Sequence, residues 1–279
     1  MRRPFPLKNR KNLKFMAGPY MVWAIGFILI PLFIMFYFGL TDRNGTTSLA
    51  NVLSIATPEH SKALSLSISL AVAATGICLL LGYPLAAILA HMKNSSGVII
   101  FVFILPMWMN FLLRTLAWQT LLEKTGVINT MLSTLHLPTI NIINTSHAIV
   151  LGMVYNFLPF MVLPLYKSLT KIDENVINAA ADLGANSFQT FFKIILPLTV
   201  PGIMSGITMV FVPSLTTFVI SKLLGGSKIL LIGNVIEEQF TQAANWHLGS
   251  GLSIVLMLFI VVNMLITAIF DRDGEGSLL

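Results

Sequence analysis

An all-α integral membrane protein with six transmembrane helices is the fold class that this sequence predicts, and three observations predict it. Hydrophobic residues make up 56% of the 279 positions and charged residues only 10%, with a mean hydropathy of +0.84. The apolar residues collect in six runs, about 17–40, 63–90, 98–122, 148–166, 198–220 and 249–270, each near the roughly 20 residues that a helix needs to cross a hydrocarbon core. The runs are continuous rather than alternating, which favours helices over barrel strands of about ten residues, and a helix satisfies its own backbone within one segment. One transmembrane domain over 17–270 is expected, flanked by short tails over 1–16 and 271–279.

The tail before the first run explains the net charge of +6. Six of the seventeen basic residues, Arg2, Arg3, Lys8, Arg10, Lys11 and Lys14, precede a membrane span, which is a positive-inside signal rather than a nucleic-acid footprint. With the N-terminus in the cytoplasm and sides alternating, the inner segments hold eleven basic residues and the outer segments five, and Arg114 lies within a span. Both termini and the 167–197 loop are therefore expected in the cytoplasm. The first run is too long for a signal-peptide core and lacks a small-residue cleavage site, so it is expected to be retained.

In the second run, Ser65, Ser69 and Ala73 stand four apart, a predicted close-packing surface for a neighbouring helix. The single cysteine, Cys78, has no partner for an internal disulfide and is expected to be a buried apolar residue. Trp108, Asn110 and Trp118 bring amphipathic and polar groups into the third run, and Tyr155, Asn156 and Phe157 do so in the fourth. His147, at the start of the fourth, reads as interfacial. Within the outer segment Ser221–His247, "GGSK" lacks the G-x4-G-K-[ST] spacing of a phosphate loop. Glu237 and Glu238 there fit either a contact for an external ligand or protein or a solvated helix face. No His, Cys or carboxylate set stands at metal-ligand spacing, so no metal or other cofactor is expected.

The loop between the fourth and fifth runs is the least membrane-like passage. Asp173 is placed as an N-cap with Glu174 in the first turn, and Gly184 as a left-handed stop, giving a helix of about ten residues. Val176, Ala180 and Leu183 share one face at i, i+4, i+7, while Ala179, Ala180 and Ala181 leave part of the surface bare. Asn186 with Gln189 resembles a capping box that opens a second helix carrying Phe188, Phe191, Phe192 and Lys193 and ending near Pro197. Such a pair fits either docking of a partner or lying on lipid headgroups.

The spacing weighs between these. After Asn178, Ala179 and Ala180 come three residues and Gly184, then nine residues, then Ile194, one residue, Leu196 and Pro197. This resembles the E-A-A-x3-G-x9-I-x-L-P loop of ATP-binding cassette (ABC) importer permeases of the MetI-like fold, with Asn178 where the family has glutamate. The passages "LGYPLAA" (81–87), "LPMWMNFLLRTLAW" (105–118), "YNFLPFMVLPLYKSL" (155–169) and "LLIGNVIEEQF" (230–240) resemble landmarks of spermidine/putrescine importer permeases of the PotB type. The resemblance implies a coupling helix that enters a cleft of an ATPase subunit, through Asn178, Ala179, Ala180, Asp182, Gly184, Ala185 and Pro197. It also implies a bacterial cytoplasmic-membrane protein working with a homologous second permease, two ATPase subunits and an extracytoplasmic polyamine-binding protein. ATP hydrolysis then belongs to the ATPase, and this chain is not an enzyme.

None of the six runs contains Asp or Glu. A polyamine crossing this chain would meet aromatic and amide surfaces instead, with Trp108, Asn110, Trp118, Tyr155, Asn156 and Phe157 as candidates. Packing accounts for each of these equally well. Arg114 would repel a polycation and is expected in a structural or gating ion pair with a partner's carboxylate. An iron or oxyanion permease would share the docking loop. A channel or ion-coupled carrier would show intramembrane acids or a carbonyl filter motif, and a membrane enzyme would need paired catalytic groups at depth.

Overall fold

The computed structural model describes residues 18–92, 101 and 105–276, and their side chains except those of Ser227 and 270–276. The tail over 1–16, residues 98–100 and 102–104 of the third run, and residues 277–279 lie outside the described residues. The elements are helices α1 (Gly18–Gly39), α2 (Pro58–His91), α3 (Phe111–Leu122), α4 (Val127–Thr134), α5 (Ser146–Leu169), α6 (Glu174–Asp182), α7 (Ser187–Thr216), α8 (Val219–Leu224), α9 (Ile232–Thr241) and α10 (Trp246–Gly276). Among the described residues, five helices, α1, α2, α5, α7 and the 246–269 part of α10, are long and apolar enough to cross a membrane.

The third predicted run is not a continuous span. Leu105–Trp108 makes one tight turn, and Asn110 then leaves helical geometry at ψ 128° and caps α3, its Oδ1 accepting from the Leu112 N–H at 2.8 Å. An N-cap side chain starts a helix and so interrupts a span. The twelve residues of α3 rise about 18 Å, short of a core about 30 Å thick. The fifth run also ends early, at Thr216, because Thr217 is extended at ψ 135°.

Pro197 does not break its helix. The turn Phe191–Ile195 is widened, with the Leu196 N–H bonded to the Phe191 carbonyl, and α7 continues through the proline to Thr216. The wide turn moves the hydrogen-bond ladder where Pro197 has no N–H to give and its ring would crowd the carbonyl of residue 193. Pro31 in α1 follows the same device, the Ile30 N–H bonding to the Ile25 carbonyl.

The chain divides into two compact units, 1–55 with 239–255, and 56–238 with 256–279. The second unit is built on α2, α5 and α7, which pack on one another. The packing stripe of α2 is Ala63, Ser67, Ala71, Ala74, Cys78, Gly82 and Ala86, all buried, whereas Ser65, Ser69 and Ala73 are exposed. The predicted surface was thus set two residues out of phase. The true stripe is fixed by what it meets: a Cβ on Gly82 would lie 3.0 Å from Met161 Cγ, and the Ser67 hydroxyl accepts the buried Ile232 N–H at 2.8 Å. Cys78 is fully buried as expected. Asn234 holds the α8–α9 segment together, its Nδ2 donating to the Phe218 carbonyl at 3.0 Å and its Oδ1 accepting from the Leu231 N–H at 3.1 Å.

In the first unit, the carbonyls of Phe38 and Thr41 at the end of α1 face His247 Nδ1 at 3.0 and 2.7 Å. Both partners only accept, so that nitrogen carries the proton. No residue in the apolar window of α1 is buried, leaving Tyr20, Trp23 and Phe27 stacked along its surface.

Candidate functional site

The 167–197 loop folds locally as its sequence dictates. Asp173 Oδ1 accepts from the Asn175 N–H at 2.9 Å, with Glu174 in the first turn of α6. At the other end Gly184 adopts φ +81°, which only glycine enters without cost. There the Gly184 N–H bonds to the Ala181 carbonyl at 2.9 Å and the Ala185 N–H to the Ala180 carbonyl at 3.0 Å, a Schellman close. The capping box follows: Asn186 Oδ1 accepts from the Gln189 N–H at 2.8 Å, and Gln189 Oε1 accepts from the Asn186 N–H at 3.1 Å.

The faces of α6 differ from the helical-wheel expectation. Ala180 is 6% exposed while Val176 is 43% and Leu183 89% exposed, because Ala180 sits under the Schellman turn and turns toward the protein with the half-buried Ile177. The open arc is Val176, Ala179 and Leu183, bordered by Asn178 and Asp182. Ala185 is half-buried and Pro197 exposed. Phe188 and Phe192, rings 4.5 Å apart, extend the exposed apolar surface of the loop. What anchors this module is Tyr83, whose hydroxyl pairs with Thr199 Oγ1 at 2.9 Å and whose ring meets Phe191 edge-on at 5.7 Å. Sequence reasoning passed over Tyr83. The phenol in "LGYPLAA" was its one signal, a polar tip in an apolar run that needs a partner.

The six path candidates fall in separate places. Trp118 and Tyr155 come together, rings edge-on at 5.3 Å. Asn156 and Phe157 are buried at 1% and 6% exposure. Asn156 Nδ2 donates to the Gly152 carbonyl at 2.9 Å, and Phe157 stacks on Phe111 at 6.4 Å. Asn110 is engaged in capping α3. Trp108 is 75% exposed and its ring partner is Phe101. Arg114, in the first turn of α3, is 8% exposed. Glu237 is held by Lys222 at 2.9 Å, so one of the two carboxylates of the 221–247 segment already has a cation.

A helical membrane chain with an exposed helix–turn–helix at one end of its spans matches the family described as "Binding-protein-dependent transport system inner membrane component" over residues 15–273. The chain belongs to that family. The spermidine/putrescine transport system permease protein PotB of Haemophilus influenzae is 37% identical over 280 residues, covering 96% of this chain and 98% of that protein. The PotB protein of Escherichia coli is 36% identical over 253 residues, covering 88% of this chain and 92% of that protein. Among solved structures, a bacterial ABC transporter involved in import of the acidic polysaccharide alginate aligns with a TM-score of 0.72 at 19% identity, covering 95% of both chains. The methionine ABC transporter MetNI, inward facing, aligns at 0.53 and 15% identity over 77% of this chain and 95% of that one. These likenesses establish an ABC permease fold and a multi-pass membrane protein. Family membership implies ATPase subunits and a periplasmic binding protein as partners.

Proposed function

We propose that this protein is the permease subunit of an ATP-driven importer that carries polyamines, spermidine and putrescine, from an extracytoplasmic binding protein across a bacterial cytoplasmic membrane. The observation that carries the reading is the 37% identity to a spermidine/putrescine permease over 96% of the chain. The energy comes from two ATPase subunits, one of which receives α6 and its turn, and a homologous second permease completes the membrane pair. Both termini and the 167–197 loop face the cytoplasm. Trp108 and the Trp118–Tyr155 pair supply aromatic faces to the ammonium groups. An oxyanion permease is the second reading, and the buried Arg114 favours it.

The substrate test is ATP-dependent uptake by the reconstituted complex. Labelled spermidine accumulating, competed by putrescine and not by phosphate or ferric ion, is the expected result; uptake of either ion without spermidine overturns the reading. Docking is tested separately. Leu183→Asp or Ala179→Arg places charge on the open arc of α6 and leaves Gly184 and the backbone hydrogen bonds of the Schellman turn in place. Normal membrane insertion with lost ATPase co-purification is expected, and wild-type co-purification with normal uptake removes the loop from the interface.

A further inference from the structure

Arg114 is 8% exposed, its Nε is buried without a hydrogen-bond partner among the described residues, and it stands in a chain whose six apolar runs hold no carboxylate. An arginine does not escape burial by losing its proton, and a buried charge without a partner is strongly disfavoured. Its position sharpens the need. It lies in the first turn of α3, where the positive end of the helix dipole adds to its own charge. Eight residues separate it from Leu122 at the far end of α3, a rise of about 12 Å that a snorkelling side chain spans only in part.

We infer that Arg114 is an intersubunit contact whose planar guanidinium takes a carboxylate from a membrane segment of the second permease. This rests on the proposed function in two respects, that a second permease chain exists and that the cargo is cationic and so does not itself supply the anion. The interaction is a bidentate charge-assisted pair, which lysine reproduces poorly.

The test uses the full complex and reads subunit association rather than transport. This chain is tagged, and the second permease recovered with it is measured per amount of tagged chain in the membrane. Arg114→Gln and Arg114→Glu should lower recovery at least tenfold, and Arg114→Lys by less. Pairing Arg114→Glu with acidic-to-arginine changes across the membrane segments of the second permease should restore recovery for one position. Wild-type recovery for both Gln and Glu variants, or no restoring position, overturns the inference. If the Glu variant does not reach the membrane, cross-linking decides: Arg114→Cys in a Cys78→Ala background should link to a cysteine placed at one acidic position of the second permease, and no link at any such position overturns it. An importer that associates normally but takes up no spermidine would refute the proposed function alone. An Arg114→Gln variant that associates normally but loses affinity for an anionic cargo would refute both.

Discussion

Trp108 exposes 75% of its surface, so its replacement removes little packing within this chain. A cation–π contact with an ammonium group contributes ~0.5–2 kcal/mol, and 1.4 kcal/mol is about tenfold in an equilibrium constant. Trp108→Ala should therefore raise the half-saturating spermidine concentration by a few- to about thirtyfold, and Trp108→Phe by less. Uptake normalised to assembled complex checks this; full activity of Trp108→Leu would show that the site needs bulk and no π face. Gly184 is the other residue whose identity is set by physics local to it. At φ +81° with nothing within 4 Å of an added Cβ, substitution strains the backbone and meets no neighbour. Gly184→Ala should destabilise the turn by about 1–2 kcal/mol and Gly184→Asn by less, seen as faster amide exchange at Ala185 in the alanine variant with unchanged folding elsewhere. Equal exchange in the two variants would mean the left-handed backbone is not what selects glycine.

Helix pairs respond differently to the same substitution according to what stands opposite. A Cβ on Gly202 of α7 would lie 2.9 Å from the Pro164 carbonyl of α5, a backbone atom, whereas one on Gly206 would meet Met161 Sδ at 2.6 Å, the movable end of a flexible side chain. Gly202→Ala should cost about 1–3 kcal/mol by forcing the helices apart, and Gly206→Ala distinctly less. Thermal denaturation of the purified complex should rank wild type above Gly206→Ala above Gly202→Ala; the reverse order would mean that Met161 is the more rigid neighbour. The caps of α6 and the capping box after it were legible in the sequence, because Asp173, Gly184, Asn186 and Gln189 act within a few residues of themselves. Pro197 was not. Its effect depends on the widened turn before it, and α7 runs through a position at which proline usually ends a helix.

Orientation belongs to the whole molecule, since six or five crossings change which side each loop occupies. In the proposed orientation, which rests on the charge asymmetry, both termini and the 167–197 loop lie inside. In a Cys78→Ala background, single cysteines at Asn12 and Asn186 should resist a membrane-impermeant thiol reagent in intact cells, and one at Asn44 should react. Labelling of Asn186 from outside would reverse the orientation and withdraw the loop from any cytoplasmic ATPase. Cys78 itself is fully buried, which shields its thiol from an aqueous reagent, and Cys78→Ala removes a single sulfur atom.

The membrane class, the helical fold and the helix–turn–helix of the 167–197 loop were determined by the sequence alone, because hydrophobic length, caps and a left-handed glycine are properties of neighbours along the chain. The family follows from the same linear pattern. Tertiary structure alone decided which stripe of α2 is buried, that Ala180 turns inward while Leu183 is 89% exposed, that Tyr83 anchors the loop to Thr199, and that Asn110 divides the third run. Each depends on what lies across a helix interface or on a cap competing with a span. Periodicity along one helix carries no information about which of its faces a distant segment will cover.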